Sequence, residues 1–357
     1  MGLLAARDVA VKWNISQRRV AILCSEGRIP GAQRVSNMWV IPDDAEKPAD
    51  GRSLRCEKEK PVAVKPFVKW AGGKGQLLAD IRKTYPAELG KSIRKYAEPF
   101  VGGGAVLFDI LSTYDLDAVY ISDINAELVN TYRMIRDDVD GLIKLLNDMQ
   151  DHYLPMDEDA RKAFYYEKRD RFNELKVNGD SKINLESAAL FIFLNRTCFN
   201  GLYRVNRKNL FNVPIGSYKK PTICDRDNLM AISKALRKVT IVCGDYRESR
   251  DFIDENTFVF FDPPYRPLNA TSSFTSYTED EFDDTAQREL AEYVLELDRK
   301  GASVVVSNSD PKNANPNDDF FDVLYAHQKV SRVAASRMIN SNAESRGKIS
   351  ELLICNY

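Results

Sequence analysis

"FVFFDPPY" occupies residues Phe258 to Tyr265. A short apolar run leads directly into an acid, two prolines and an aromatic ring. Such a run, bounded by proline, reads as a buried strand. Pro263 and Pro264 fix φ and remove two backbone donors, and the residue before each proline is pushed into an extended shape. Asp262 and the Pro263 carbonyl therefore stand side by side as two rigid acceptors with no local N–H between them. Two fixed acceptors beside an aromatic plate suit a flat base with an exocyclic NH₂. The carboxylate and the carbonyl accept its two N–H bonds, and Tyr265 stacks on the ring. The amine lone pair is then drawn out of conjugation, so the nitrogen can attack an electrophilic methyl group. A proline-stiffened turn after a core strand would use the same letters, but this stretch ends a strand in the same sheet as a glycine-rich turn.

Outward from this stretch, strands and helices alternate. "IRKYAEPFVGGG" is a strand running into a glycine turn, and "AVLFDILSTY" is the helix after it. "DAVYISDIN", "KVTIVCGDY" and "ASVVVSNSD" are further strands with polar or acidic carboxyl ends. This order implies a mostly parallel, doubly wound α/β sheet, in which ligands bind beyond the carboxyl ends of the strands. Residues 139–225 interrupt the alternation with "GLIKLLNDM", "ARKAFYYEKRDRFNEL" and "LESAALFIFLNR", which read as helices of an inserted lobe. In the turn "EPFVGGGAVL" (98–107), glycines allow a ligand close to the backbone. Asp123 follows 21 residues after Gly102, the spacing at which an acid reaches ribose hydroxyls in nucleotide-binding αβ units.

Composition excludes several classes. The 357 residues are 44% hydrophobic and 29% charged, with a net charge of −1. They are enough for two or three globular domains, and any nucleic-acid contact must come from local basic patches. The apolar run "AALFIFL" (188–194) is too short to span a bilayer. No basic leader precedes a long apolar stretch, so no secretory signal and a cytoplasmic location are expected. The six cysteines lack any CxxC spacing and read as reduced thiols. Two distant histidines, His152 and His327, argue against His-based metal sites and Ser-His triads; no metal and no membrane partner are expected.

The first 45 residues form a separate unit. "LAARDVAVKW" and "QRRVAILCSEG" read as helices, the second capped by Ser16 and ended by Gly27. "AQRVSNMWVIP" reads as a hairpin turning at Ser36-Asn37. Helix, turn, helix, hairpin is the order of a winged helix-turn-helix. Six Lys/Arg face two Asp/Glu between Met1 and Pro42, and Gln17, Arg18 and Arg19 open the second helix, where a recognition helix meets DNA. A solvated basic face would hold the same residues. The segment resembles excisionase/MerR-like winged-helix modules. Residues 46–62, polar and proline-bearing, read as a linker, leaving 63–138 and 226–357 as the catalytic domain.

From Pro66 to Tyr357 the chain resembles the adenine-N6 DNA methyltransferases of the Dam family (D12 class, alpha group). "FVKWAGGKGQLL" (67–78) matches the family's first motif, "EPFVGGG" its methionine-side loop, Asp123 its ribose acid and "DPPY" its catalytic motif. The ending "ESRGKISELLICNY" is also similar. The resemblance implies a Rossmann-like fold with a target-recognition lobe at 139–225. It assigns catalysis to Asp262, Pro263 and Tyr265. It assigns S-adenosylmethionine binding to Trp70, Lys74, Phe100, Gly102, Asp123 and Asp262.

Specificity should reside in "RTCFNGLYRVNRKNLFNVPIGSYKKP" (196–221). Six Lys/Arg and no Asp/Glu lie between Glu186 and Asp225. Basic residues interleaved with Phe199, Tyr203 and Tyr218 fit a hairpin laid on DNA, and Arg204 suits bidentate contact with guanine. An exposed basic loop would look the same. The stretch resembles the Dam hairpin that reads GATC. By that resemblance Lys69, Leu202, Arg204, Pro214 and Tyr218 touch the site, while Phe199 and Asn200 fill or border the gap left by a flipped adenine. "SFTSYTEDEF" (273–282) is expected to close over the pocket, with Tyr277 near the base. The expectation is a site-specific adenine-N6 methyltransferase. Its partners would be double-stranded DNA and, in a restriction-modification pair, a cognate endonuclease; the chain itself would be monomeric. An RNA or other nucleic-acid base methyltransferase, or a catalytically inactive DNA-binding regulator, would use the same scaffold.

Overall fold

The computed structural model describes residues 2–13, 15–36, 38–48, 64–179, 184–266, 282–336 and 348–357. Most of the 46–62 stretch and Tyr277 lie outside them. The chain divides into two compact units, Met1–Pro61 and Val62–Tyr357.

The smaller unit runs β1 (Leu3–Ala5), α1 (Ala6–Trp13), α2 (Gln17–Ser25), β2 (Gln33–Val35) and β3 (Met38–Pro42). Ser16 has extended backbone angles and its hydroxyl accepts from the Arg19 amide at 3.2 Å, which satisfies a helix-start donor. Gly27 takes φ +67° just past α2, a conformation that a Cβ would penalise. β2 and β3 pair with Val35 opposite Met38. Ser36, at φ +53°, suits the mirror-image turn of a two-residue hairpin. Val9, Trp13, Val20, Leu23, Ile29 and Ile41 form the core. β1 is a departure from the sequence reading, which placed Leu4 and Ala5 in the first helix. These residues gain strand structure by pairing with β3, Leu4 opposite Ile41.

The larger unit contains α3 (Leu78–Ile81), β4 (Lys95–Pro99), α4 (Ala105–Thr113), β5 (Ala118–Asp123), α5 (Ala126–Asp137), α6 (Val139–Tyr153), α7 (Glu158–Val177), α8 (Leu185–Thr197) and α9 (Arg226–Leu236). It continues with β6 (Val239–Cys243), β7 (Thr257–Phe261), α10 (Asp284–Arg299), β8 (Ser303–Ser309), α11 (Phe320–Leu324), β9 (Lys329–Ser336) and β10 (Lys348–Cys355). The strands form one sheet in the order β6-β5-β4-β7-β8-β10-β9. β6 to β8 are mutually parallel, while β10 runs antiparallel to β8 and β9. The chain leaves β4 toward β5 and β6, then returns to β7 on β4's other side. This places the topological switch, where such sheets bind ligands, between β4 and β7.

Both faces of the sheet are covered, so its central strands are largely apolar, with β7 apolar from Phe258 to Phe261. Tyr96, Phe258, Phe260, Val305 and Leu353 enter one core cluster, and Ala97, Val259, Phe261, Val304 and Ile354 the other. Phe258, Phe260 and Phe261 are wholly buried, each contributing about 2–3 kcal/mol of transfer free energy. Residues 139–225 add no strand to the sheet among the described residues. Buried almost all round, α8 shares the first cluster with the sheet. The inserted stretch is therefore continuous with the larger unit. No helix among the described residues is long and apolar enough to cross a membrane.

Candidate active site

β4 and β7 end side by side, and their loops carry the glycine turn and the DPPY stretch. Asp262 follows the last residue of β7. Its Oδ1 lies 2.7 Å from Lys74 Nζ and accepts from Ser307 Oγ at 2.7 Å. Among the described residues nothing donates to Asp262 Oδ2 or to the Pro263 carbonyl. Lys74 is 4% exposed; its ammonium also donates to the Gly72 carbonyl at 2.8 Å and stands 4.5 Å above the Tyr265 ring. The Tyr265 hydroxyl donates to Glu351 Oε2 at 2.6 Å. On the opposite face of the sheet, the wholly buried Gln287 donates to the Pro264 carbonyl at 3.2 Å and accepts from Asn308 at 3.0 Å. The DPPY stretch is thus held from both faces.

In the glycine turn, Asp123 accepts from the Gly102 amide at 3.0 Å and from the Asn125 amide at 2.9 Å. Burial raises its pKa, and these backbone donors oppose the shift. A Cβ on Gly102 would come within 2.8 Å of the Trp70 indole, and its φ is +48°. Phe100 has φ +86° and stacks on Tyr246 at 5.3 Å. Ile124, beside Asp123, is an apolar side chain left 62% exposed. Below the turn, Glu98 is buried and accepts from Tyr96 at 2.7 Å. Desolvation pushes its pKa up to about 8.

A second patch gathers the residues expected to read DNA. Lys69 Nζ lies 3.1 Å from the Tyr218 hydroxyl and 4.4 Å above that ring. Asn195 holds Lys69 by its amide and carbonyl, both at 2.8 Å, and the Gly201 carbonyl at 2.9 Å. The Phe199 amide donates to the Pro214 carbonyl at 2.9 Å, and Phe199 is 52% exposed. Asn200, at φ +56°, is exposed and Leu202 half-buried. Val205 bridges Phe211 in antiparallel sense, so 204–212 forms a short hairpin. Arg204 is exposed, with Nε donating to Asn212 Oδ1 at 2.8 Å. Tyr203 corrects the expectation of a DNA-facing aromatic. It is 5% exposed, stacks on Trp70 at 5.8 Å, and its hydroxyl donates to Glu127 and accepts from Lys176. A buried ion pair and an indole draw it inward. In the smaller unit, Arg18 is exposed and Arg19 half-buried on the first turn of α2.

The sequence reading missed Ser307, Glu351, Glu98, Gln287 and Asn308. The polar ending of "VVVSNSD" and the acids within otherwise apolar strands were the available signals.

Residues 70–339 match the family described as D12 class N6 adenine-specific DNA methyltransferase. The chain is 50% identical over 298 residues to the Type II methyltransferase M.MjaIII of Methanocaldococcus jannaschii, covering 83% of this chain and 100% of that one. It is 36% identical over 298 residues to the Type II methyltransferase M1.LlaDCHI of Lactococcus lactis subsp. cremoris, covering 83% and 96%. It is 33% identical over 287 residues to the DNA adenine methylase of Escherichia coli K12, covering 80% and 93%. With most of its length matched, including DPPY, the chain belongs to the D12 class N6 adenine-specific DNA methyltransferase family.

Proposed function

We propose that this adenine-specific DNA methyltransferase acts on adenine N6 in GATC by direct attack of a flipped-out base. The observation that carries the reading is the pair of acceptors left without a donor among the described residues, Asp262 Oδ2 and the Pro263 carbonyl, at the switch point of the sheet. An adenine inside a duplex cannot reach them, so the base must leave the stack. Asp262 and Pro263 then accept the two N6 hydrogens, and Tyr265 provides a ring face. Asp262 would also receive the proton that the methylated amine sheds.

The residues of the glycine turn fit S-adenosylmethionine. Asp123 suits ribose hydroxyls and Lys74 a carboxylate, the exposed Ile124 suits an apolar ring face, and Gly102 leaves room that a Cβ would close against Trp70. Trp70, Lys74, Phe100, Gly102, Asp123 and Asp262 would hold it. When bound it supplies an electrophilic methyl group on a sulfonium. Lys69, Phe199, Asn200, Leu202, Arg204, Pro214 and Tyr218 would face the target site, and the likeness of this hairpin to the one that reads GATC supports that sequence. Residues 1–45 would add DNA contacts through Gln17, Arg18 and Arg19. Expression in a host lacking adenine methylation, with modified bases mapped across its genome, tests the reading. N6-methyladenine confined to GATC is expected; modification at another sequence would overturn the GATC assignment.

A further inference from the structure

The antiparallel reversal at β10 has a chemical consequence. Parallel strands β7 and β8 bring their carboxyl ends to the catalytic edge, whereas β10 brings its amino-terminal half. Glu351 pairs in register with Ser309 of β8. Side chains alternate along a strand. Glu351 therefore shares a sheet face with Leu353, as Ser307 does with Val305 and Asp262 with Phe260; all three reference residues belong to the same core cluster. An acid in the otherwise apolar "ELLIC" is thus delivered to the face that carries Asp262. There its Oε2 accepts the Tyr265 hydroxyl at 2.6 Å. Burial, with Asp262 and Glu351 nearby, holds that hydroxyl well above its ordinary pKa, so Tyr265 keeps its proton and is the donor.

We propose that Glu351 is a positioning residue for methyl transfer, fixing the Tyr265 ring and enriching its π-face through the charged hydrogen bond. The inference rests on the adenine-N6 reading above. A phenol that donates to a carboxylate carries more electron density in its ring, and an electron-rich face attracts cations. The structure already displays this attraction: the Lys74 ammonium lies 4.5 Å from the ring centroid. The base itself becomes cationic in the reaction. As N6 bonds to the methyl carbon and that carbon's bond to sulfur breaks, positive charge passes to the base until an N6 proton moves to Asp262. A ring held face-on and enriched by Glu351 would favour that cation over the neutral base, which is the differential binding catalysis requires.

The test is a double-mutant cycle with Glu351→Gln and Tyr265→Phe in the full chain, read by single-turnover methylation of a GATC duplex. Duplex affinity and thermal unfolding are followed in parallel. Glu351→Gln keeps an acceptor and removes the charge. Each single variant should lower the transfer rate about tenfold, with duplex affinity held close to that of the native chain, and the double variant should be no slower than the worse single one. Glu351→Asp should recover part of the rate. Multiplying losses, or an unchanged rate in Glu351→Gln, would overturn the proposal. So would a loss that follows lowered duplex affinity or stability. A native chain that leaves adenine unmethylated would instead overturn the underlying reading.

Discussion

Lys74 and Asp262 form an ion pair of 2.7 Å that ties the 67–78 stretch to the end of β7. Lys74 sits in a single turn of 3₁₀ helix, Lys74–Gln76, and Asp262 directly follows β7. The lysine is 4% exposed and its other hydrogen-bond acceptor is the neutral Gly72 carbonyl. One contact therefore orders the carboxylate and compensates a buried charge, and under the proposed function the second carboxylate oxygen would accept from the target amine.

Asp262→Ala separates these roles. It removes an acceptor for the amine, so single-turnover transfer should fall by about 10²–10⁴-fold while duplex affinity stays close to native. It also strips the partner from a buried ammonium, so the unfolding midpoint should drop. Near-normal transfer in this variant would remove Asp262 from the mechanism.

Arg204 is held across the hairpin by Asn212, its Nε donating to Asn212 Oδ1 at 2.8 Å and its Nη2 to the Asn212 carbonyl at 3.5 Å. Arg204→Ala should cost about 1–3 kcal/mol of discrimination at one guanine. Lys220→Ala, at an exposed position suited to a phosphate, should weaken all sequences alike. Methylation rates on single-substitution variants of the site distinguish the two. Equal losses at every position for Arg204→Ala would refute base reading.

Glu98 should make stability pH-dependent. Desolvation raises its folded pKa to about 8 from 4.5. Between those values the folded chain holds more protons than the unfolded chain, so this contribution is fully present below 4.5 and is lost as the pH rises through about 8. Glu98→Gln removes the titration yet keeps an acceptor for Tyr96. The unfolding midpoint of the variant relative to native should therefore climb from about pH 5 to about pH 8. A difference that stays constant across this window would show that Glu98 does not titrate there.

The parts of the site that were legible in sequence are those fixed by neighbours in the chain. β7 is buried on both faces, so Phe258 to Phe261 form an unbroken apolar run and Asp262 stands out as the first polar residue after it. The glycine turn and Asp123 are likewise set by local strand-turn-helix geometry. Glu351 and Tyr203 were not legible, because what each does depends on distant partners. Glu351 acquires its role from the register of β10 on β8. Tyr203, set between Leu202 and Arg204 in a basic stretch, resembles a surface residue until Trp70, Glu127 and Lys176 are brought to it. β1 was missed for the same reason: its three residues become a strand through β3.

The smaller unit supports a prediction about affinity. Met1–Pro61 and Val62–Tyr357 are separate compact units, and every DPPY, glycine-turn and hairpin residue named above lies in the second. A chain beginning at Val62 should therefore methylate the same short site. Without the basic residues of 1–45 it should bind DNA more weakly and release fewer counterions, so the salt dependence of binding should become shallower. If Gln17, Arg18 and Arg19 also read bases, tethering should make the full chain prefer target sites flanked by a second motif. Both chains can be compared for binding and methylation at several salt concentrations, on duplexes with randomised flanks. Identical salt slopes together with identical flank preferences would show that residues 1–45 do not bind DNA, and would turn the assignment of that unit toward a protein partner.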